Sequence, residues 1–216
     1  MKLTSELARA GIIHLRANDR ILRGVIDAAG PFALKLRRDR FQSLVRSIIS
    51  QQISTSAARS IRIRLEKFLA PEKIAPETLA KFTPLKLREA GISPQKAGYL
   101  LDLAQKVSNG QVRLENLARM SDDEVIAELI QVKGIGVWTA QMFLMFCLGR
   151  VDVFPHGDLG IRSALKNLYE LDELPDEEMS HEIAQSWRPY ATIASWYCWR
   201  SLDLPQFAKK RVAPPQ

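Results

Sequence analysis

The chain has 216 residues, 46% of them hydrophobic, enough for one substantial core or two small ones. Lys and Arg number 31 against 24 Asp and Glu; the formal charge of +7 favours an anionic partner such as nucleic acid, although many soluble proteins are equally basic. Two cysteines, Cys147 and Cys198, are too few for a zinc or iron–sulfur centre by themselves, and His14, His156 and His181 show no ligand spacing. Both cysteines lie in apolar helical patterns and read as buried thiols. No stretch reads as a secretory leader or a membrane span. A soluble, intracellular protein is expected, in the cytoplasm or nucleoid if bacterial and in the nucleus if eukaryotic.

Along the chain, helical periodicity dominates, and no segment sustains the period-2 alternation of a strand. The basic run 35–40 reads as a short solvated linker. Phe41, Leu44, Val45, Ile48 and Ile49 fall at i, i+3, i+4, i+7 and i+8, one buried helical stripe, and Ile61, Leu65 and Phe68 continue it in the next segment. Ser121 with Glu124 is a capping box opening a short helix lined by Val125, Ile126, Leu129 and Ile130. Residues 137–148 are apolar almost all round and predict a central helix buried on most sides. Segments 158–169 and 176–187 each open on a capping Asp, and 190–202 closes the set. Breaks fall at Gly30-Pro31, Pro71, Pro76, Pro84, Gly91, Gly110, Gly134, Pro155-His-Gly157, Pro175 and Pro189. The tail 209–216 is basic and Pro-rich and reads as mobile.

Residues 130–148, which contain Val132-Lys-Gly-Ile-Gly-Val-Trp-Thr-Ala140, read as helix, tight turn, helix. Ile130 ends the first helix, Ile135 anchors the turn, and Val137 opens the second helix. Gly134 and Gly136 lack a Cβ, so the chain can turn sharply and a ligand can approach the backbone. The helix start offers amides and a partial positive charge to an anion. Gly134, Gly136 and Thr139 are thus candidate phosphate-binding residues in a helix-hairpin-helix that holds a backbone without reading sequence. An ordinary αα-hairpin with glycine at its turn is the alternative.

Three segments, 132–140, Val151-Asp-Val-Phe-Pro-His-Gly-Asp-Leu-Gly-Ile-Arg162 and 187–200, occur in the order found in the 3-methyladenine DNA glycosylase II family. Residues 41–54, with Ile48-Ile-Ser-Gln-Gln-Ile-Ser54, fit it too. The chain resembles that family, part of the helix-hairpin-helix, Gly/Pro-rich loop, Asp superfamily of base-excision glycosylases, over most of its length. The amino-terminal mixed α/β domain of some relatives has no counterpart in these residues. The resemblance implies an all-α fold of two helical subdomains, residues 39–149 and residues 1–38 with 150–216, with an active-site cleft between them.

By this resemblance, Asp158 is the catalytic carboxylate. Cleaving a glycosidic bond leaves positive charge on the sugar, and a nearby carboxylate stabilises it, by about 4 kcal/mol at ~4 Å and an effective dielectric of ~20. Asp158 is also a good N-cap, and one oxygen can cap while the other faces the site. Trp138 stands where bifunctional relatives carry a Schiff-base Lys, and Lys133 does not match that position. A monofunctional hydrolase is therefore expected. Trp138, Trp196 and Met142 match base-pocket positions, with Met142 standing where some relatives have Tyr; core packing is the alternative for Trp196. Tyr197, Trp199 and Trp187 read as structural.

The substrate implied is duplex DNA containing alkylated bases of the 3-methyladenine and 7-methylguanine type, flipped out of the stack. Gln52 aligns with the wedge that fills the gap, and Gln51 with a contact to the orphaned partner; both can equally be plain loop residues. Arg162 and Lys166 suit either phosphates or surface pairs. The family's hairpin often binds a monovalent cation through main-chain carbonyls, here those of Ile130, Val132 and Ile135, so a structural sodium or potassium ion is expected and no other cofactor is required. A monomer with no membrane partner is expected. A glycosylase for hypoxanthine or ethenoadenine, and a non-catalytic helix-hairpin-helix DNA-binding protein, are the competing readings.

Overall fold

A computed structural model describes residues 1–207. The tail 209–216 lies outside the described residues. Among these, the secondary structure is helical, with one isolated bridge between Lys2 and Arg150 and no strand. The chain divides into two compact units, the first Met1–Leu36 with the described part of Gly149–Gln216 and the second Arg37–Leu148.

The first unit holds α1 (Ser5–Asn18), α2 (Arg20–Ala29), and three later helices to which the chain returns. Its core is made by Leu15, Leu22, Val25, Ile161, Leu165 and Trp187, all fully buried. Burying each such aliphatic side chain is worth about 2 kcal/mol. Asp19 ties the unit together. It caps α2 by accepting from the amides of Ile21 and Leu22, and it also accepts from Trp187 Nε1 at 2.8 Å and from the Tyr169 hydroxyl. A buried carboxylate needs such donors, because an unpaired one would lose its hydration without compensation.

The second unit runs through α3 (Arg40–Ser50), α4 (Thr55–Leu69), α5 (Pro76–Leu79), α6 (Pro84–Glu89), α7 (Pro94–Ser108), α8 (Asp122–Ile130) and α9 (Val137–Phe143). The 41, 44, 45, 48, 49 stripe of α3 is buried as its spacing predicts, against α4, α7 and α9. Leu65 is buried, whereas Ile61 and Phe68 are only partly so. Asp39, Ser54, Thr83 and Ser93 each cap the helix that follows, and α5, α6 and α7 start on Pro, which loses no helical bond there. Ser121 and Glu124 form the expected capping box.

Three expectations change. Segment 137–148 is not one buried helix: Val137 and Trp138 are about half exposed, and Leu144–Leu148 closes as a π-helical turn. Cys147 is half-buried, while Cys198 is fully buried; burial pushes both thiols up. The run 35–40 is not simply solvated. Asp39 caps α3, Arg40 donates to the Leu114 carbonyl at 2.5 Å, and the Arg37 guanidinium lies 6.0 Å from the Phe146 ring.

Candidate active site

The chain re-enters the first unit at Gly149 and reaches α10 (Leu159–Leu168) through Pro155-His-Gly-Asp158. Asp158 is the N-cap of α10, and its Oδ1 accepts the Ile161 amide at 2.9 Å. The same oxygen accepts Trp199 Nε1–H at 2.9 Å, from α12 (Ala191–Ser201). Two N–H groups thus hold one carboxylate oxygen, as charge-assisted bonds that fix the group's orientation. Gly160 completes this seat. A Cβ there would lie 2.9 Å from Asp158 Oδ1 and 3.1 Å from Trp199 Cδ1, so any side chain would press on both.

Trp196 lies on the same α12 and is half-buried. Its ring packs edge-on against Phe32 and Tyr197, with centroids 5.1 and 4.9 Å away, and Arg200 lies 5.9 Å from its centroid. Trp187 is structural, as read from the sequence; Trp199 is not merely so, since its polar edge is committed to Asp158. Arg162 donates from Nε to the Pro175 carbonyl at 2.8 Å, a local tie rather than a reach outward. Lys166 is partly exposed on α10.

The histidines depart from the sequence reading. His156 sits two residues before Asp158, and His181 lies on α11 (Glu177–Ala184). Folding brings His156 Nε2 within 3.3 Å of Glu177 Oε1 and His156 Nδ1 within 3.3 Å of His181 Nε2. No local spacing reveals this set, because a tertiary contact joins a loop to a helix. Its donor atoms lie within 4.8 Å of one another, making it a group among the described residues able to hold a cation. Burial and the neighbouring His156 hold the His181 imidazole below its usual value, with Glu177 opposing.

In the second unit, Ile130 ends α8 and Val137 opens α9, so the helix-turn-helix lies where its glycines place it. Gly134 has φ +81°, and a Cβ there would collide with the Tyr99 ring. Gly136 is the N-cap of α9 and brings no side-chain oxygen to the first-turn amides. Thr139 is buried in that turn. Ile135 is buried as an anchor, Trp138 is half exposed one residue into α9, and Met142 is partly buried a turn later. Asp102 braces the hairpin by accepting from the Lys133 amide and from Lys106 Nζ, both at 2.9 Å. Its carboxyl is partly desolvated, which opposes ionisation, yet these donors hold it below the usual carboxylate range. Lys106 also donates to the Gln131 carbonyl at 2.5 Å.

The α3–α4 loop meets this hairpin. Gln51 Nε2 donates to the Gly134 carbonyl at 2.7 Å. Lys96 Nζ on α7 holds the carbonyls of Ile49 and Gln51 at 2.8 and 2.7 Å, satisfying the end of α3. Gln52 is exposed and has φ +55°, a left-handed conformation costly for a residue with a Cβ. The loop therefore spends conformational energy to present Gln52 to solvent. Sequence reasoning locates this loop but misses the roles of Trp199 and Gly160, which lie inside recognised motifs, and of Tyr99, Asp102 and Lys96, which carry none.

Comparison with known proteins finds relatives over most of the chain. A Bacillus subtilis protein is 33% identical over 169 residues, covering 76% of this chain, which spans 59% of that relative's length. The DNA-3-methyladenine glycosylase 1 of Schizosaccharomyces pombe is 29% identical over 96% of this chain and 93% of its own. A solved structure of the 3-methyladenine DNA glycosylase from that yeast, in complex with abasic DNA, superposes with a TM-score of 0.83 over 93% of this chain and all of the other. A DNA-3-methyladenine glycosidase structure from Bacillus halodurans is 36% identical, with a TM-score of 0.80 over 88% of each chain. The profile of the HhH-GPD superfamily matches residues 45–189, and the chain belongs to this superfamily of base excision DNA repair proteins.

Proposed function

We propose that this protein is a monofunctional DNA glycosylase that hydrolyses the N-glycosidic bond of alkylated purines in duplex DNA and leaves an intact abasic site. The observation that carries the reading is the seat of Asp158, whose Oδ1 accepts both the Ile161 amide and Trp199 Nε1 at 2.9 Å. A carboxylate held this way needs no reorganisation when charge develops beside it.

The C1′–N bond breaks with its electron pair leaving on the base, and positive charge spreads over C1′ and O4′ of the sugar. Asp158 stabilises that charge; water then bonds to C1′ and gives up its proton, with the Asp158 carboxylate as acceptor. Purines alkylated at N3 or N7 are cationic and leave without strong acid assistance, which suits a site with one carboxylate. Aromatic faces suited to an electron-poor ring are offered by Trp196 on α12 and, separately, by Trp138 on α9 with Met142 beside it. Trp138 cannot form a Schiff base, so no strand cleavage follows base release.

Gly134, Gly136 and the first-turn amide of Thr139 hold the DNA backbone, and Gln52 fills the space left by the flipped nucleotide while Gln51 keeps the loop on the hairpin. The carbonyls of Ile130, Val132 and Ile135 suit a hard monovalent cation such as sodium or potassium. Ile130 is the last residue of α8, where carbonyls have no helical partner, and the ion would brace the turn.

The test is chromatography of bases released from methylated duplex DNA, with borohydride trapping in parallel. Free 3-methyladenine and 7-methylguanine without a trapped covalent adduct are expected. A trapped adduct with strand nicking would contradict the monofunctional mechanism.

A further inference from the structure

The α3–α4 loop has a second neighbour besides the hairpin. Ser50 and Ile53, which flank Gln51 and Gln52, line a cavity of about 470 Å³ between α3 and α4. Four arginines line it, Arg37, Arg46, Arg59 and Arg62. Arg62 is paired with Glu66 one turn on. Among the described residues, no carboxylate forms an ion pair with Arg37, Arg46 or Arg59. Like charges gathered in one concave wall repel, and the field inside a low-dielectric groove concentrates that repulsion. The crowding registers at Arg37, whose guanidinium is held below its ordinary value by lost solvation and by Arg46. An anion entering the groove relieves it. Guanidinium forks match the paired oxygens of a phosphodiester and bind it more specifically than ammonium groups would.

We infer that the Arg37–Arg46–Arg59 groove is a second DNA-backbone clamp, taking phosphodiesters next to the wedge loop and separate from the hairpin amides. The choice of nucleic acid over another polyanion follows from continuity: the loop that carries Gln52 also supplies Ser50 and Ile53 to the groove. This inference rests on the glycosylase reading above. Arg side chains from α3, α4 and the segment before α3 would hold the duplex beside the loop.

The experiment measures binding to a duplex carrying an abasic-site analogue across a salt series, for wild type, Arg46→Gln/Arg59→Gln and Arg46→Lys/Arg59→Lys. Each neutralised phosphate contributes a log–log salt slope of about −0.9. The Gln pair is expected to lower the slope by one to two such increments. The Lys pair keeps the charges and is expected to keep most of the slope, which separates lost contacts from a misfolded chain. An unchanged slope in the Gln pair overturns the clamp. So does binding of polyglutamate by wild type that is lost in the Gln pair while duplex binding and its slope stay unchanged, which would assign the groove to an acidic protein. Base release by wild type is scored separately. Release with an unchanged slope rejects the clamp alone, whereas a changed slope without release rejects the glycosylase reading and leaves the clamp.

Discussion

Trp199 Nε1 donates to Asp158 Oδ1 at 2.9 Å, so an indole on α12 sets the orientation of a carboxylate at the start of α10. Trp199→Phe keeps the ring and deletes the donor. A hydrogen bond to a charged group is worth about 1.5–3 kcal/mol, and each ~1.4 kcal/mol of barrier is tenfold in rate. The single-turnover rate of base release is expected to fall about 10-fold or more, with affinity for abasic duplex unchanged. In an Asp158→Asn background, Trp199→Phe should cost nothing further. Losses that multiply would show that Trp199 acts apart from Asp158.

Gly160→Ala tests the same seat sterically. Its new methyl would meet Asp158 Oδ1 at 2.9 Å, while alanine is the better helix former by about 1 kcal/mol. Activity should therefore drop clearly while the melting temperature changes little. Full activity in this variant would show that the carboxylate tolerates displacement.

Gly134 joins a left-handed φ to a collision course with Tyr99. Gly134→Ala should destabilise the fold by about 2 kcal/mol or more, as chemical denaturation would show, and should weaken DNA binding together with stability. Unaltered stability would mean that the hairpin backbone relaxes freely.

Gln52 presents the opposite balance. Gln52→Gly relieves the φ +55° conformation and should raise stability by about 0.5 kcal/mol, after glycine's extra chain entropy is counted. The same variant loses the side chain proposed as wedge, so affinity for abasic duplex should fall. Greater stability with undiminished affinity would remove Gln52 from the wedge role.

Acid stability follows from His181. Burial and His156 keep its imidazole below the ordinary 6.5, so between the folded value and about 6.5 the unfolded chain binds more protons than the native one. This contribution to stability is complete above about pH 6.5 and is lost as pH falls through the folded value. His181→Gln should make stability less sensitive to pH between 7 and 5.5 in urea titrations. An equal pH dependence in variant and wild type would contradict it.

Much of this arrangement was legible in residue patterns, and the reasons differ from place to place. The α3 stripe and the Ser121–Glu124 box were readable because period and capping are local. The hairpin was readable because few residues but glycine adopt the turn that Gly134 makes. Asp158 stands out by the company of its motif, yet its partner Trp199 reads as packing in the sequence alone, since the two are 41 residues apart and only the fold joins them. Asp102 and Tyr99 escaped for the same reason: each supports the hairpin from α7 through a tertiary contact. The His156–Glu177–His181 group joins a loop to a helix, and the exposure of Trp138 depends on which side of α9 the neighbouring helices cover.

The most direct measurement is single-turnover release of 3-methyladenine by Asp158→Asn, made alongside thermal unfolding. Asn caps helices about as well as Asp, so the fold should be retained. Losing ~4 kcal/mol of charge stabilisation should slow base release about a thousandfold. An Asp158→Asn protein that is folded and releases base at the wild-type rate would contradict the account.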